Sequence, residues 1–296
     1  MEITFLGTAC MQPTKERNLS GLFISYKNDG ILLDCGEGLQ RQLKIAGIKP
    51  TKITKILISH WHGDHVLGLP GLLQTMAANE YNGVLEIYGP EGSKKFMDAV
   101  FKTFMPHEMI NYKVTEVDSG VFFEDEDFLL EAVQLDHGIP CLGFNLIEKD
   151  RRRVKVEAAK KLGIPEGPVL GKLQRGQAVV FKGKKIEPDD VCYVVKGKKV
   201  SFVCDTGLCN ACYKLAKDAD LLVSEAVFSS KHEDKATDYK HLTAKQAALM
   251  AGKAGAKKLV LTHFSQRYKD INEILEDARD YFPDVVCAYD FMKIKL

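Results

Sequence analysis

Four side chains that can bind metal ions lie within six residues, in the segment Ser59-His60-Trp61-His62-Gly63-Asp64-His65. The segment follows residues 55–58, a short apolar run typical of a buried strand, and its glycine permits a tight turn. In extended chain His60 and His62 point the same way, so both can reach one ion. Beyond the turn, Asp64 and His65 can reach a second ion. Packing three imidazoles and a carboxylate together is unfavourable without a cation, so the pattern predicts a metal site.

Three more candidate ligands lie where strand patterns end later in the chain: His137, Asp205 and His263. Strand ends gather along one edge of a sandwich, so we expect these residues to meet the histidine segment. The seven candidates divide into His60, His62 and His137 for one ion, Asp64, His65 and His263 for the other, and Asp205 between them. Asp34, at the end of an earlier strand, is predicted to orient a ligand. The sequence therefore predicts two ions with nitrogen and oxygen ligands.

The composition is that of an ordinary folded protein. Of 296 residues, 45% are apolar and 27% charged, enough for one large α/β domain or two smaller ones. The chain begins directly with a strand pattern and has no apolar run of membrane-spanning length, so we expect a cytoplasmic location and no membrane partner. The eight cysteines are scattered, which suits a reducing compartment. Cys209-Asn-Ala-Cys212 is open to a redox or zinc role, but we interpret it as a helix start.

Residues 149–185 differ from the rest of the chain in charge. They contain 12 Lys or Arg and three acidic residues, a net charge of +9, whereas the whole chain has a net charge of only +1. Interspersed apolar residues, such as Leu162, Ile164 and Leu173, predict a small folded insertion rather than a disordered loop. A concentrated basic segment indicates a polyanionic partner.

The remaining segments alternate between strand and helix patterns. Predicted strands include 21–26 and 30–34, joined by a turn at Asn28-Asp29-Gly30, and predicted helices include 66–79 and 268–280. Both halves of the chain show strands followed by helices. This order indicates an α/β fold with two facing sheets and helices outside them.

The seven candidate ligands resemble the signature of the metallo-β-lactamase superfamily, in which the segment HxHxDH corresponds to residues 60–65 and a later His, Asp and His to His137, Asp205 and His263. Further segments resemble ribonuclease Z, the tRNA 3′-processing endonuclease of that superfamily. They are its PxKxRN loop at 13–18, its HEAT loop at 222–228, its HST loop at 241–243, its HFSxRY motif at 263–268, and its tRNA-clamping arm in the basic insertion with Gly167-Pro168. The chain departs from the family pattern at Cys204, Ser224, Val227 and Leu242.

The resemblance implies an α/β fold, an αββα sandwich of two facing mixed sheets with outer helices and a protruding arm insertion. It implies a catalytic domain made of residues 1–148 and 186–296 and an inserted basic tRNA-binding arm at 149–185. It also implies two divalent ions, taken as zinc, a precursor tRNA substrate, and a homodimer in which one subunit clamps tRNA for the other. The ligand set itself accepts zinc, manganese and iron. The implied RNA contacts are Lys15, Arg17, Asn18, Gly167, Pro168 and Arg267.

The resemblance further implies that Asp64, His241 and Glu225 take part in catalysis. Two divalent ions make a shared water more acidic and hold phosphate oxygens. Asp64 would accept the proton of that water, His241 would protonate the departing 3′-oxygen, and Glu225 would fix the orientation of His241. The expected activity is removal of the 3′ trailer from precursor tRNA, leaving a 3′-hydroxyl. His107 and His232 are instead predicted to be solvated loop residues.

Two other functions stay open from the sequence. A metallo-hydrolase of small esters, such as an aryl sulfate or a phosphodiester, would use the same two ions but not the basic segment. An RNA-binding module with a relict metal site would be expected to have lost some ligands, whereas all seven are present. Metal content and the effect of deleting residues 150–184 distinguish these cases.

Overall fold

The computed structural model describes residues 1–103 and 109–296, so His107 lies outside the described residues. The described strands are β1 (Glu2–Gly7), β2 (Ala9–Cys10), β3 (Gly21–Tyr26), β4 (Asp29–Leu33), β5 (Lys55–Leu57), β6 (Val84–Gly89), β7 (Asn111–Glu116), β8 (Gly120–Glu124), β9 (Phe128–Asp136), β10 (Pro140–Glu148), β11 (Arg151–Val154), β12 (Val179–Phe181), β13 (Lys184–Ile186), β14 (Cys192–Val195), β15 (Lys199–Val203), β16 (Leu221–Glu225), β17 (Leu259–Thr262), β18 (Phe264–Ser265), β19 (Val285–Cys287) and β20 (Lys293–Lys295). The described helices are α1 (Leu39–Ile45), α2 (Gly63–Val66), α3 (Leu69–Ala78), α4 (Ser93–Lys102), α5 (Val156–Lys161), α6 (Pro168–Gln174), α7 (Pro188–Val191), α8 (Asn210–Ala216), α9 (Glu233–Asp238), α10 (Ala244–Ala254) and α11 (Asn272–Arg279), with short 3-10 helices at Pro50–Lys52 and Ser230–His232.

The first large sheet has seven strands in the order β20-β1-β3-β4-β5-β6-β7. The strands from β20 to β4 pair antiparallel and those from β4 to β7 pair in parallel, so the sheet is mixed. Its outer face packs on α1 and α3 through buried residues that include Leu32, Ile56, Leu43 and Leu72. Because β4 and β5 are parallel neighbours, the residues that follow them emerge at the same edge of the sheet.

The second large sheet has the order β19-β17-β16-β15-β10-β9-β8. Strands β15, β16, β17 and β19 pair in parallel and are connected through α8, α10 and α11. These helices cover the sheet with a small-residue core that includes Ala247, Ala251 and Leu222. The carboxyl ends of three parallel strands therefore meet at one edge, and candidate site residues lie at or just after each of these ends.

Residues from both sheets line one common pocket. Phe5, Leu22 and Leu33 come from the first sheet, and Phe202 and Val223 come from the second. The two sheets therefore face each other, with their helices on the outer faces. The predicted αββα arrangement is confirmed.

The chain divides into two compact units. The first consists of Met1–Phe123, Leu130–Leu146 and Lys199–Leu296 and contains most of both large sheets. The second consists of Glu124–Leu129 and Ile147–Lys198. The basic segment 149–185 lies entirely within this second unit.

The second unit has a hydrophobic core of its own. Ile164, Leu173, Ile186 and Val191 are buried together, and further apolar side chains pack around them. Two small antiparallel sheets, β11 with β14 and β12 with β13, and the short helices α5, α6 and α7 supply these residues. The basic segment is folded, as its interspersed apolar residues predict.

The first predicted hairpin turn is displaced by one residue. The turn lies at residues 27–28, whereas the sequence pattern predicted Asn28-Asp29-Gly30. Asp29 already belongs to β4, and its carboxylate accepts hydrogen bonds from Thr54 and Lys55. These partners on a neighbouring segment hold Asp29 in the sheet, so the turn forms before it.

The helix predicted at 268–280 begins later, at Asn272. Tyr268 is buried, and its hydroxyl donates towards Ser229 while its backbone oxygen accepts from Arg17. These contacts fix the preceding loop in a non-helical course. Among the residues that the structure describes, none of the helices combines the length and apolar character needed to cross a membrane.

Candidate metal centre

Asp34 prepares the histidine loop from the neighbouring strand. Its backbone adopts a left-handed conformation (φ 57°), which turns the carboxylate towards β5. The carboxylate accepts hydrogen bonds from the Ser59 backbone N–H and hydroxyl, both at 2.8 Å, and lies 2.7 Å from Nδ1 of His65. A carboxylate on one imidazole nitrogen fixes the ring and leaves the other nitrogen for a metal. Asp34 therefore lies where it can orient His65, one of the candidate ligands.

His60, His62 and His137 bring three ring nitrogens together. Nδ1 of His62 lies 2.9 Å from Nε2 of His60 and 3.2 Å from Nε2 of His137. The other nitrogen of His137 lies 3.0 Å from the Lys240 carbonyl oxygen, to which it can donate. This donation leaves Nε2 of His137 with a lone pair directed at the other two rings.

Asp64, His65 and His263 form a second group on the same side of the sheets. Nε2 of His263 lies 3.2 Å from Nε2 of His65, and each lies 3.4 Å from Oδ2 of Asp64. The same carboxylate oxygen accepts the Met11 backbone N–H at 2.8 Å. His263 has a left-handed backbone (φ 60°) between β17 and β18, which departs from the strand course at this residue.

Asp205 lies between the two groups. Its carboxylate is 3.3 Å from Nδ1 of His263 and 3.5 Å from Nε2 of His65. It is also 3.8 Å from Nε2 of His60 and from Nε2 of His137. The structure thus brings all seven candidate ligands into one cluster, with Asp205 between the two groups.

The chemistry of this cluster fits divalent cations. Imidazole nitrogens face one another at 2.9–3.2 Å, a repulsive arrangement unless a cation or proton lies between them. Nδ1 of His263 is among the buried side-chain atoms of the described residues that have no hydrogen-bond partner. Six of the seven side chains are buried, and only His62 is exposed. Buried lone pairs without donors are what an ion with nitrogen and oxygen ligands would satisfy.

The electrostatics of the cluster also favour added positive charge. Burial opposes protonation of His65 and His263, yet the neighbouring carboxylates, Asp205 first among them, contribute to raising the pKa of both rings above the ordinary value. Burial likewise opposes ionisation of Asp64, but His263 and His65 hold the pKa of that carboxyl well below its usual range. His60 is different, since burial keeps its pKa well below the ordinary value and its lone pair free.

Glu225 and His241 form a dyad next to this cluster. Nδ1 of His241 lies 3.1 and 3.2 Å from the two oxygens of Glu225, which is buried and also accepts the Thr206 backbone N–H at 2.7 Å. Burial disfavours the imidazolium, but the Glu225 carboxylate outweighs it and raises the pKa of His241. With Nδ1 held by the carboxylate, Nε2 of His241 is left available to transfer a proton.

The predicted RNA contacts fall into two groups. Lys15, Arg267, Gly167 and Pro168 are exposed, and Arg267 lies over the Phe228 ring beside the cluster. Arg267 also lines a cleft of about 430 Å³ together with ligands of the cluster and His241. An exposed guanidinium at such a cleft suits phosphate.

Arg17 and Asn18 are placed differently from their predicted role. Arg17 is only 8% exposed, and its guanidinium donates to the Tyr268 and Ser265 backbone oxygens at 2.8 and 3.4 Å. The Asn18 side chain donates to the Glu37 backbone oxygen at 3.0 Å. Both side chains tie loops together around the cluster, and this placement favours a structural role over phosphate contact.

Several neighbours of the cluster were not predicted from the sequence. Cys10 lies beside Asp64 and His263, with all three buried. The Met11 N–H that holds Asp64 comes from a residue with a left-handed backbone (φ 60°). Nothing in the local sequence marks either residue, because each reaches the cluster through chain segments far apart in sequence.

Cys209 and Cys212 form a close thiol pair, with their sulfur atoms 3.5 Å apart. A hydrogen bond from Cys212 lowers the pKa of the Cys209 thiol to about 5. Cys209 caps α8, so the expectation that this motif begins a helix is confirmed.

Comparison with known proteins places this geometry in context. A family model described as anti-Pycsar protein Apyc1 matches residues 1–137, which include the histidine loop. Ribonuclease Z of Methanothermobacter thermautotrophicus is 40% identical over 297 residues, covering 100% of this chain and 97% of that protein. Ribonuclease Z of Bacillus subtilis is 38% identical over 304 residues, covering 100% of this chain and 99% of that protein.

Solved structures agree with the sequence relatives. The short form of human tRNase Z has a TM-score of 0.73 and 30% identity, covering 100% of this chain and 99% of that one. The metallo-β-lactamase fold protein YhfI from Bacillus subtilis has a TM-score of 0.72 at 17% identity, covering 99% and 98% of the two chains, and it bears on the fold alone. The facing sheets and the cluster of histidines and aspartates at their edge define a protein of the metallo-β-lactamase fold. Within that fold, the chain belongs to the ribonuclease Z family.

Proposed function

We propose that this protein is a metal-dependent endoribonuclease that removes the 3′ trailer from precursor tRNA and leaves a 3′-hydroxyl on the tRNA. The observation that carries the proposal is the cluster of seven ligands with the Glu225–His241 dyad beside it at one cleft. The full-length relatives named ribonuclease Z and tRNase Z support the same substrate class. They favour it over the alternative of a small-ester hydrolase.

The cluster would hold two divalent ions. His60, His62 and His137 supply one set of donors, and Asp205 lies between them and the set Asp64, His65 and His263. We take zinc as the metal at both positions; imidazole and carboxylate donors accept zinc, as they accept manganese and iron. When bound, such ions lower the pKa of water and neutralise charge on the phosphate.

The protein's own residues would move two protons. Asp64, held by the Met11 N–H, would accept the proton of the attacking water. His241 would donate a proton from Nε2 to the departing 3′-oxygen of the tRNA. Glu225 would orient the His241 ring and favour its protonated form, since it accepts from Nδ1 and raises the pKa of the ring.

We further propose that residues 1–148 and 186–296 form the catalytic domain and that the basic segment 149–185 binds tRNA. That segment has a net charge of +9 on a folded core, and its Gly167 and Pro168 are exposed at the start of α6. Contacts of this kind go to backbone phosphates and position the RNA without reading its sequence. Lys15 and Arg267 would contact phosphate near the cluster.

A homodimer in the cytoplasm completes the proposal, with the basic segment of one subunit clamping tRNA for the other. The eight cysteines are all free thiols, which suits a reducing compartment. Sedimentation velocity of the purified protein should give a dimer. A monomer at concentrations that support full activity would contradict this part of the proposal.

The direct test is cleavage of a precursor tRNA that bears a 3′ trailer. The purified protein with zinc should cut once near the 3′ end and yield a tRNA 3′-hydroxyl and a trailer 5′-phosphate. A 2′,3′-cyclic phosphate or a 3′-phosphate on the tRNA would exclude water attack of the proposed kind. A chelator should abolish cleavage, and added zinc should restore it.

A further inference from the structure

Cys10 reaches the metal cluster through a strand pairing that joins the two ends of the chain. Strand β2 pairs in parallel with β18, and Cys10 stands opposite Ser265, two residues after His263. Its sulfur, a carboxylate oxygen of Asp64 and a ring nitrogen of His263 lie within 4.8 Å of one another. All three residues are buried, and Cys10 lines the same cleft as Asp64 and Asp205.

We propose that Cys10 is an additional metal ligand, a thiolate on the ion bound by Asp64 and His263. The inference rests on the metal centre and is independent of which RNA is cleaved. On binding, the S–H bond breaks, a sulfur–metal bond forms, and the proton goes to solvent without any redox change. The ion at this position then has a sulfur donor that the three-histidine position lacks.

Two observations support this role. The Nδ1 atom of His263 is buried and makes no hydrogen bond within the described part of the chain, although the Asp205 carboxylate lies 3.3 Å away, so the hydrogen-bonding capacity of this ring is not fully used. Cys10 also differs from Cys141, another buried cysteine near Asp205: the Cys141 thiol donates to the Asp205 backbone oxygen at 3.2 Å, whereas the Cys10 sulfur lies among the side chains of Asp64 and His263. Among the described residues, Cys10 is the one cysteine in a group of potential metal ligands.

A sulfur donor affects which metal the protein selects. Thiolate is a soft ligand that favours zinc, iron and cobalt, whereas carboxylate, carbonyl and water ligands suit manganese and magnesium. The seven histidine and aspartate ligands do not discriminate between zinc and manganese. Cys10 would therefore bias one of the two positions towards zinc.

Cobalt substitution tests the inference directly. The metal-free full-length protein is reconstituted with Co²⁺, and its absorption spectrum is recorded. A bound thiolate gives a sulfur-to-cobalt charge-transfer band in the near ultraviolet, whereas histidine and carboxylate ligands alone give only the weaker visible bands. The wild-type protein should show both, and Cys10→Ser and Cys10→Ala should lose the charge-transfer band but keep the visible bands.

The Cys209→Ser/Cys212→Ser double variant is the matched control, because that close thiol pair is the other place where cobalt could meet sulfur. It should keep the charge-transfer band. A band that survives Cys10→Ser, or that disappears with the double variant, would overturn the inference. A wild-type spectrum with visible bands but no charge-transfer band would also overturn the inference. It would still support the proposed metal centre.

Metal competition gives a second readout. Cys10→Ser should lower zinc affinity by at least about tenfold, the smallest loss seen when even an outer partner of a ligand is removed. Its manganese affinity should change less, because manganese gains little from sulfur. Equal losses for both metals would indicate a general disturbance of the cluster, and would contradict a ligand role for sulfur.

Discussion

The metal cluster and the second compact unit, which contains the basic segment 149–185, use charge in two different ways. In the cluster, buried carboxylates and imidazoles lie within 2.7–3.8 Å of one another and are held by backbone and hydroxyl hydrogen bonds. In the second unit, charged side chains are exposed, as in the pairs Lys160–Glu157 and Lys185–Glu187. Exposed pairs contribute little to stability and are screened by salt, whereas buried groups act at close range in fixed positions.

The comparison indicates a division of labour. A reaction that develops charge on a phosphate needs groups that are already positioned and partly desolvated. Binding a long polyanion needs many weak contacts that tolerate movement, and these are naturally salt-dependent. Substitutions in the cluster should therefore reduce the rate for every substrate, and changes in the second unit should reduce it only for large RNA substrates.

Replacing Asp205 should have the largest effect. Asp205→Asn removes the negative charge between the two sets of ligands, so the protein should lose bound metal and at least about 10⁴-fold in rate, because several kcal/mol of transition-state stabilisation goes with the ions. Cleavage of precursor tRNA and of a small phosphodiester should fall together. Asp238→Asn, at an exposed position, is the matched control and should behave as the wild type. Loss of activity on RNA alone would contradict the division of labour.

His241→Ala should reduce the rate by about 10²–10⁴-fold while the metal content stays unchanged, because it removes a proton donor and not a ligand. Glu225→Gln should reduce the rate of cleavage by about 10–100-fold, since it removes the carboxylate that orients the His241 ring and favours its protonated form. Metal analysis and single-turnover cleavage measure both quantities. His232→Ala is the matched control. Loss of metal from the His241 variant would refute its assignment as a proton donor.

Deletion of residues 149–197, which include the basic segment, should reduce cleavage of precursor tRNA but not hydrolysis of a small phosphodiester. The Glu148 N–H donates to the Lys198 backbone oxygen at 2.9 Å, so a short turn can replace residues 149–197 without straining the flanking strands. This deletion also removes the small core whole, whereas deleting only 150–184 would leave Ile186 and Val191 without their partners.

The kcat/KM for precursor tRNA should fall on the order of 10³-fold, because several phosphate contacts are lost. Hydrolysis of a small phosphodiester should stay within about twofold, a difference of less than 0.5 kcal/mol. Equal loss of both activities in a folded variant would favour the small-ester alternative.

Two arginines on neighbouring loops should show the smallest effects. Arg17 should affect stability, and Arg267 should affect RNA binding. Arg17→Ala removes charged hydrogen bonds to two backbone oxygens, so the free energy of unfolding should fall by about 1.5–3 kcal/mol. Arg267→Ala should change stability by less than about 0.5 kcal/mol, yet weaken RNA binding and reduce the salt dependence by about one phosphate contact. Denaturant unfolding and salt titration of binding measure the two quantities. A stability loss confined to Arg267→Ala would reverse the assignment.

The parts of the site that the sequence predicted are those with local signals. Dense spacing identified His60 to His65, and strand ends identified Asp34, His137 and Asp205, because a carboxylate or imidazole after a buried strand must lie at a sheet edge. The two facing sheets and the helices outside them also followed from the alternation of strand and helix patterns, whereas the order of the strands within each sheet did not.

The missed parts depend on pairings between distant segments. Cys10 reaches His263 through a two-residue strand that pairs with residues more than two hundred positions later. Arg17 lies in a polar loop of the sequence, a pattern that predicts an exposed side chain. Its burial depends on its contact with the backbone oxygen of Tyr268. Such contacts leave no periodicity in the sequence, so no local pattern could have identified them.

The most direct test of the paired-metal account is the metal content of the full-length protein after reconstitution with zinc and removal of free ions. Two zinc ions per chain are expected for the wild type, and Asp205→Asn should hold fewer. One zinc ion or none per wild-type chain, in a preparation that still cleaves precursor tRNA, would contradict the account.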